Sequence, residues 1–205
     1  MSMHFFKIER RPIFNEKWGD YGEMLQHGMT SHLPRQGGFL ALERTGPFIP
    51  PITLSGIGDI VLTSAARESL NASGLNGFEF RPVHKALIVE LHWEDWHLNA
   101  DQPQQFPDSG EPEDYILGKP HSSSASAALG ELWELHVPAT ATVLRPQRIV
   151  DSYSDLKLDI DTWNGCDLIR SAGYGSVLFT ERARGWFAER WADCIEFSEF
   201  PTTER

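Results

Sequence analysis

Only two of the 205 residues are cysteines, Cys166 and Cys194. Two cannot build a zinc ribbon, and they provide no disulfide framework. No secretory signal follows Met1, so the expected compartment is a reducing cytoplasm. Long apolar runs are missing too: stretches such as Ala86 to Val89 are far too short to span a bilayer. Basic residues are scarce, with 18 Lys and Arg against 29 Asp and Glu, a net charge of −11. That balance argues against a general binder of nucleic-acid backbone, which needs a basic face, and suits a basic partner. What remains is an ordinary folded chain, 40% hydrophobic and 23% charged, able to bury a substantial core as one domain.

Familiar chemical motifs are equally absent. There is no G-x-S-x-G elbow, and Gly118-Lys-Pro120 has proline where a phosphate loop needs Ser or Thr. Gly56-x-Gly58 and Gly173-x-Gly175 lack a third glycine and precede a strand, so they read as tight turns. His92-Trp-Glu-Asp-Trp-His97 has neither the H-E-x-x-H spacing of a zinc protease nor the C-x-x-C of a zinc deaminase. At the end of a strand, His92 and His97 fall on opposite faces. Cys194 occupies an apolar position and reads as a small core residue. No metal site, cofactor or catalytic residue is therefore assigned.

What is present is an internal repeat at an offset of 117 residues. In residues 56 to 80, seven of 25 positions match their counterparts: Gly56/Gly173, Gly58/Gly175, Thr63/Thr180, Ala66/Ala183, Arg67/Arg184, Glu79/Glu196 and Phe80/Phe197. Chance would give roughly one or two on ordinary composition. Ile60 to Leu62 reads as a buried strand, Thr63 and Thr180 as helix N-caps, and Ala66/Leu70 and Ala183/Phe187 as apolar i, i+4 stripes. Phe78-Glu-Phe80 and Ile195-Glu-Phe197 alternate as strands. The expected fold is α+β: one domain over residues 1–205 with a mixed sheet. Two pseudo-symmetric strand–helix–strand copies, at about 56–83 and 173–200, are joined by strands and a long acidic loop.

The other segments read more simply. Met3 to Arg10 is a strand with Phe6 and Ile8 on one face. Phe39 to Glu43, Ala86 to Trp93, Glu131 to Val137 and Ala141 to Val150 read as further strands. Residues 15 to 55 otherwise carry mixed signals. Gln102 to Gly130, with four prolines and the run Ser122-Ser-Ser-Ala-Ser126, reads as a loop.

Charge is distributed unevenly. From Ala86 to Gly118 there is no Lys or Arg, but there are eight acids: Glu90, Glu94, Asp95, Asp101, Asp108, Glu111, Glu113 and Asp114. Trp93, Trp96 and Tyr115 share the segment, and aromatic residues are enriched at interfaces. The candidate partner-binding residues are therefore Trp93, Glu94, Asp95, Trp96, Asp101, Glu111, Glu113, Asp114 and Tyr115. The competing readings are a solvated acidic loop, or a hydrolase using carboxylates and histidines of residues 90–97.

Leu158-Asp-Ile-Asp-Thr-Trp-Asn-Gly-Cys-Asp-Leu-Ile169, followed by Gly173-Tyr-Gly-Ser-Val-Leu-Phe-Thr-Glu-Arg182, resembles the C-terminal half of the double-CxxCG paralogous family of bacteria. Phe5-Phe-Lys-Ile-Glu9 and Glu131-Leu-Trp-Glu-Leu135 fit the same pattern, and Asp59 to Val83 is similar to a strand–helix–Phe-x-Pro-Val segment of related immunity families. The resemblance implies an immunity protein, an antitoxin of interbacterial competition and not an enzyme. Such a protein stays in the producing cell's cytoplasm and occludes the active site of a secreted antibacterial toxin. The expected partner is a cognate, basic protein toxin, with no nucleic acid or membrane. This chain has no CxxCG, so the resemblance brings no metal-binding knuckle with it.

Overall fold

The computed structural model describes residues 3–30, 32–145, 156–171 and 174–203. In chain order these form β1 (Phe5–Arg10), α1 (Gly19–His27), β2 (Ala41–Pro47), β3 (Ile52–Gly56), β4 (Asp59–Thr63), α2 (Ser64–Asn71), β5 (Glu79–Pro82) and β6 (His84–Leu91). Then follow α3 (Asp114–Leu117), α4 (Ser123–Ala128), β7 (Leu132–His136), β8 (Ala139–Ala141), β9 (Val143–Leu144), β10 (Lys157–Leu158), β11 (Leu168–Ser171), β12 (Tyr174–Thr180), α5 (Glu181–Trp191) and β13 (Ile195–Phe200). The fold is α+β. A five-stranded mixed sheet runs β13-β1-β12-β11-β8, a four-stranded sheet runs β3-β4-β7-β5, and β2 pairs with β6 in parallel.

The two repeat segments hold matching places in the two larger sheets. β4 and β5 both flank β7, and β12 and β13 both flank β1, all antiparallel. Trp133 of β7 lies opposite Leu62 and Pro82. Phe6 of β1 lies opposite Phe179 and Glu199, the same residues shifted by 117. Each outer hairpin agrees as well, β3 pairing β4 and β11 pairing β12. The strand that fills the gap differs in origin: β7 follows a long excursion, whereas β1 comes from the start of the chain.

Most of the repeated identities have a physical reason. The Thr63 hydroxyl accepts the Ala66 N–H at 3.3 Å, and the Thr180 hydroxyl accepts the Ala183 N–H at 3.3 Å, so each helix starts on a capped amide. Ala66 and Ala183 are buried where the helices cross their sheets, and Leu70 and Phe187 fill the next turn. Arg67 lies over the Trp133 ring at 3.9 Å and Arg184 over the Phe6 ring at 4.8 Å, a cation–π contact made at corresponding positions. Gly58 and Gly175 meet each other. A Cβ on Gly58, whose φ is +75°, would lie 1.7 Å from the Gly175 carbonyl oxygen. Gly173 lies outside the described residues. Ile60, Leu62, Val177 and Phe179 share one core between the sheets. Across β1, Phe6 and Ile8 pack on that core, while Phe5 joins Ile169, Leu178 and Phe200 in a second one.

Several local expectations need correction. β6 stops at Leu91, and Trp93–Asp95 is a single 3-10 turn. The stretch from Gln102 to Gly130 is not loop throughout, since it contains α3 and α4. Ser122 caps α4 by accepting the Ala125 N–H, and the alanines that follow are good helix formers. β8 and β9 cover only the start of the strand expected from Ala141, and residues 146–150 lie outside the described residues. α1 arises within the stretch of mixed signals. It packs on β2, where the Thr45 hydroxyl donates to the Leu25 carbonyl at 2.9 Å.

Candidate partner-binding surface

The acidic segment is a lobe built on an aromatic core. Beyond β6 the chain turns Trp93 inward, where its ring lies 5.4 Å from Phe14 and 6.3 Å from Phe48. Phe14 stacks on Trp18 at 4.7 Å, and Leu25, Met29, Val89, Ile116 and Tyr115 complete the cluster. Trp93 and Tyr115 are thus core residues, and their expected place on a binding surface is corrected. Burial pushes the Tyr115 hydroxyl up to about 12. A large aromatic with an apolar neighbourhood gains more from the core than from the rim. Trp96 is half-buried beside Trp18, at 6.1 Å between rings, and keeps part of its area in solvent.

The acids of the lobe face outward. Glu94, Asp95, Asp101, Glu111 and Asp114 are exposed, and Glu113 is half-buried. Asp101 pairs with Lys17 at 2.7 Å, and Glu90 lies 3.5 Å from His92. Glu94, Asp95, Asp108, Glu111, Glu113 and Asp114 have no ion-pair partner among the described residues. Glu94 has an internal task, however. It is the carboxylate that acts on Arg44, a fully buried guanidinium donating to the carbonyls of Thr45 at 2.7 Å and Phe48 at 2.9 Å. Burial brings Arg44 down to about 9, against the pull of Glu94. Desolvation first, and then Asp95, raise Glu94 above the usual carboxylate range.

A second feature lies where the two repeat copies meet. A cavity of about 500 Å³ is lined by the end of β1, by Asp20, Glu23 and Met24 of α1, by the β3–β4 hairpin, by Glu113, and by Ser176 and Val177 of β12. Its charged side chains are Glu9, Arg10, Asp20, Glu23, Asp59 and Glu113, a net charge of −4. Arg10 closes one wall, donating to the Leu54 carbonyl at 2.9 Å and to Glu23 at 2.5 Å. Glu9 is held below the usual carboxylate range by its bonds to Lys7 and Ser198. Asp59 accepts the Thr30 hydroxyl at 2.7 Å and lies 3.7 Å from Arg35. Arg35 in turn grips Glu134 through two bonds of 2.7 and 2.8 Å. Burial would raise Glu134, but the Arg35 bonds and charge carry it below the usual range.

Of the nine residues expected at a binding surface, the cavity takes in only Glu113. Glu9, Asp20, Glu23 and Asp59 gave no sequence signal, because they converge from three separate elements, β1, α1 and β4. The paired glycines were the one available pointer, since Gly56 and Gly58 form the lip of the cavity. His92 and His97 are both exposed, His92 lying edge-on to Phe48 at 5.7 Å. No group of three or more His, Cys, Asp or Glu among the described residues is placed to hold a metal ion. No described helix is long and apolar enough to cross a membrane. Comparison with models of known protein families finds no match for this chain, and comparison with curated proteins finds none.

Proposed function

We propose that this protein binds and neutralises a basic protein toxin, acting in the cytoplasm of the producing cell by covering the toxin's active site or substrate groove. It acts by occupancy and not by catalysis of its own. The observation that carries the reading is the acidic lobe. Setting aside Glu94, which acts on Arg44, five carboxylates with no ion pair among the described residues lie in a segment of 33 residues that has no Lys or Arg and that packs on an aromatic core. Unpaired surface charges of one sign repel each other and contribute little to folding. They do accelerate encounter with an oppositely charged partner and reject partners of like charge. The sequence resemblance to bacterial immunity proteins supplies the kind of partner. Trp96, half-buried at the lobe's edge, is the tryptophan of the segment able to share its area with a toxin.

The test begins with the neighbouring gene. Its product is expressed in a sensitive host with and without this protein, and growth is followed. Protection, together with a stable complex of the two purified proteins, supports the reading. A non-toxic neighbour that forms no complex, beside a measurable hydrolytic activity of this protein, contradicts it and favours the enzyme reading.

A further inference from the structure

We propose that the cavity between the repeat copies receives a basic side chain, guanidinium or ammonium, presented by the protein's partner. The inference rests on the binding role proposed above and adds a specific anchor point to it. Three observations converge. The cavity, at about 500 Å³, has the size of a ligand pocket. Its charged lining has a net charge of −4, and Asp20 and Glu113 have no ion-pair partner among the described residues. Ser55, which lines the cavity and is only 2% exposed, keeps a hydroxyl with no hydrogen-bond partner. A buried hydroxyl without a partner is costly, and an incoming N–H would satisfy it as an acceptor.

The walls decide the class of cation. Ile8, Met24, Met29, Leu54, Ile60 and Val177 are apolar, and they share the cavity lining with the carboxylates. A bare metal ion has no use for such walls. A lysine or arginine does, because its methylene stem packs on apolar surface while its head keeps polar company. Glu113 supplies the link to the partner face, since it belongs both to the acidic lobe and to the cavity lining. Ile57, on the hairpin at the lip, is 81% exposed and adds an apolar contact beside the opening. A basic side chain projecting from a toxin docked on the lobe would thus find a lined entrance next to it.

The test needs no toxin. The intact protein is titrated with N-acetyl-arginine amide, with N-acetyl-lysine amide, and with the neutral isostere N-acetyl-citrulline amide, and backbone amide shifts are followed. The expected result is saturable binding of one or both cations, with shifts at Ser55, Gly56, Asp59 and Val177, and at least tenfold weaker binding of the citrulline. Asp20→Asn with Glu113→Gln should weaken cation binding about tenfold, and Ser55→Ala about threefold. Both sets of positions allow a folded variant, which a native amide spectrum verifies. Equal binding of citrulline, shifts confined to other surfaces, or no shift up to the solubility limit overturns the proposal. The toxin arm separates this claim from the function. If Asp20→Asn with Glu113→Gln loses side-chain binding but holds the toxin as tightly as the parent, the partner does not use the cavity, and neutralisation stands on the lobe alone. If the side chains bind but no toxin is neutralised, the proposed function fails and the cavity remains a cation site without its partner.

Discussion

Replacing Gly58 by alanine should be far more damaging than replacing a glycine of the same backbone conformation in open space. Gly58 has φ +75°, and a Cβ there would sit 1.7 Å from the Gly175 carbonyl oxygen. Gly110 has φ +79°, and a Cβ there would meet nothing within 4 Å. Both variants bear the cost of a left-handed residue, about 1–2 kcal/mol. Gly58→Ala bears a second cost, because backbone must yield to make room, and overpacking of this kind costs about 1–3 kcal/mol more. The expected losses are therefore about 1 kcal/mol for Gly110→Ala and about 3–4 kcal/mol for Gly58→Ala. Gly175→Ala falls between them. Its Cβ would meet the Cγ2 of Ile57 at 2.3 Å, but that side chain is 81% exposed and can swing away. Urea unfolding followed by tryptophan fluorescence and by circular dichroism reads all three. Gly58→Ala and Gly110→Ala agreeing within about 0.5 kcal/mol would refute the close approach of the two copies.

Three further outcomes are expected. Thr63→Ala and Thr180→Ala should each cost about 1 kcal/mol and add in the double variant, since they cap separate helices; an unchanged urea midpoint in either would deny the cap. Arg35→Met strands the buried carboxylate of Glu134 and should cost about 3 kcal/mol. Because Glu134 is depressed in the folded state, the parent holds this stability above the ordinary carboxylate range and loses it as pH falls through the folded value. In Arg35→Met that dependence should reverse, and a pH series of urea midpoints checks it. His27 is fully buried, its Nδ1 accepts the Leu54 N–H at 3.1 Å, and burial with the charges of Arg10 and Arg44 brings it from 6.5 to about 3. The unfolded chain therefore takes up a proton that the folded chain refuses, so stability should fall between about pH 6.5 and 3 by up to about 4–5 kcal/mol. His27→Gln should remove that part of the slope, and an imidazole titrating normally by NMR would contradict the reasoning.

The parts of the fold legible in the sequence are those fixed by local chemistry. A threonine before an apolar i, i+4 pair announced both α2 and α5, and alternation announced β1, β7 and β13. The unread parts depend on distant packing. α1 contains two glycines and has little intrinsic helix propensity, yet Leu25 is buried and Gly22 lets the helix approach Phe14 and Trp18. α4 hid within a serine-rich run because the cap and the loop use the same residue type. The aromatic residues of the acidic segment were visible, but their direction was not. Trp93 and Tyr115 point inward only because α1 and β6 enclose them. The cavity was beyond reach for a stronger reason, since its carboxylates stand on β1, α1, β4 and the loop before α3.

The acidic lobe as the docking face for a basic toxin is most directly tested by association kinetics. The parent and the variant Asp95→Asn, Glu111→Gln, Asp114→Asn are mixed with the toxic product of the neighbouring gene at low and at physiological salt. These three acids are exposed and free of ion pairs among the described residues, and Glu94 is spared because it acts on the buried Arg44. Electrostatic steering predicts association about tenfold slower for the variant at low salt, a gap that narrows as salt rises, and dissociation little changed. Equal association rates at both salt concentrations would contradict the account and place the docking face elsewhere on the molecule.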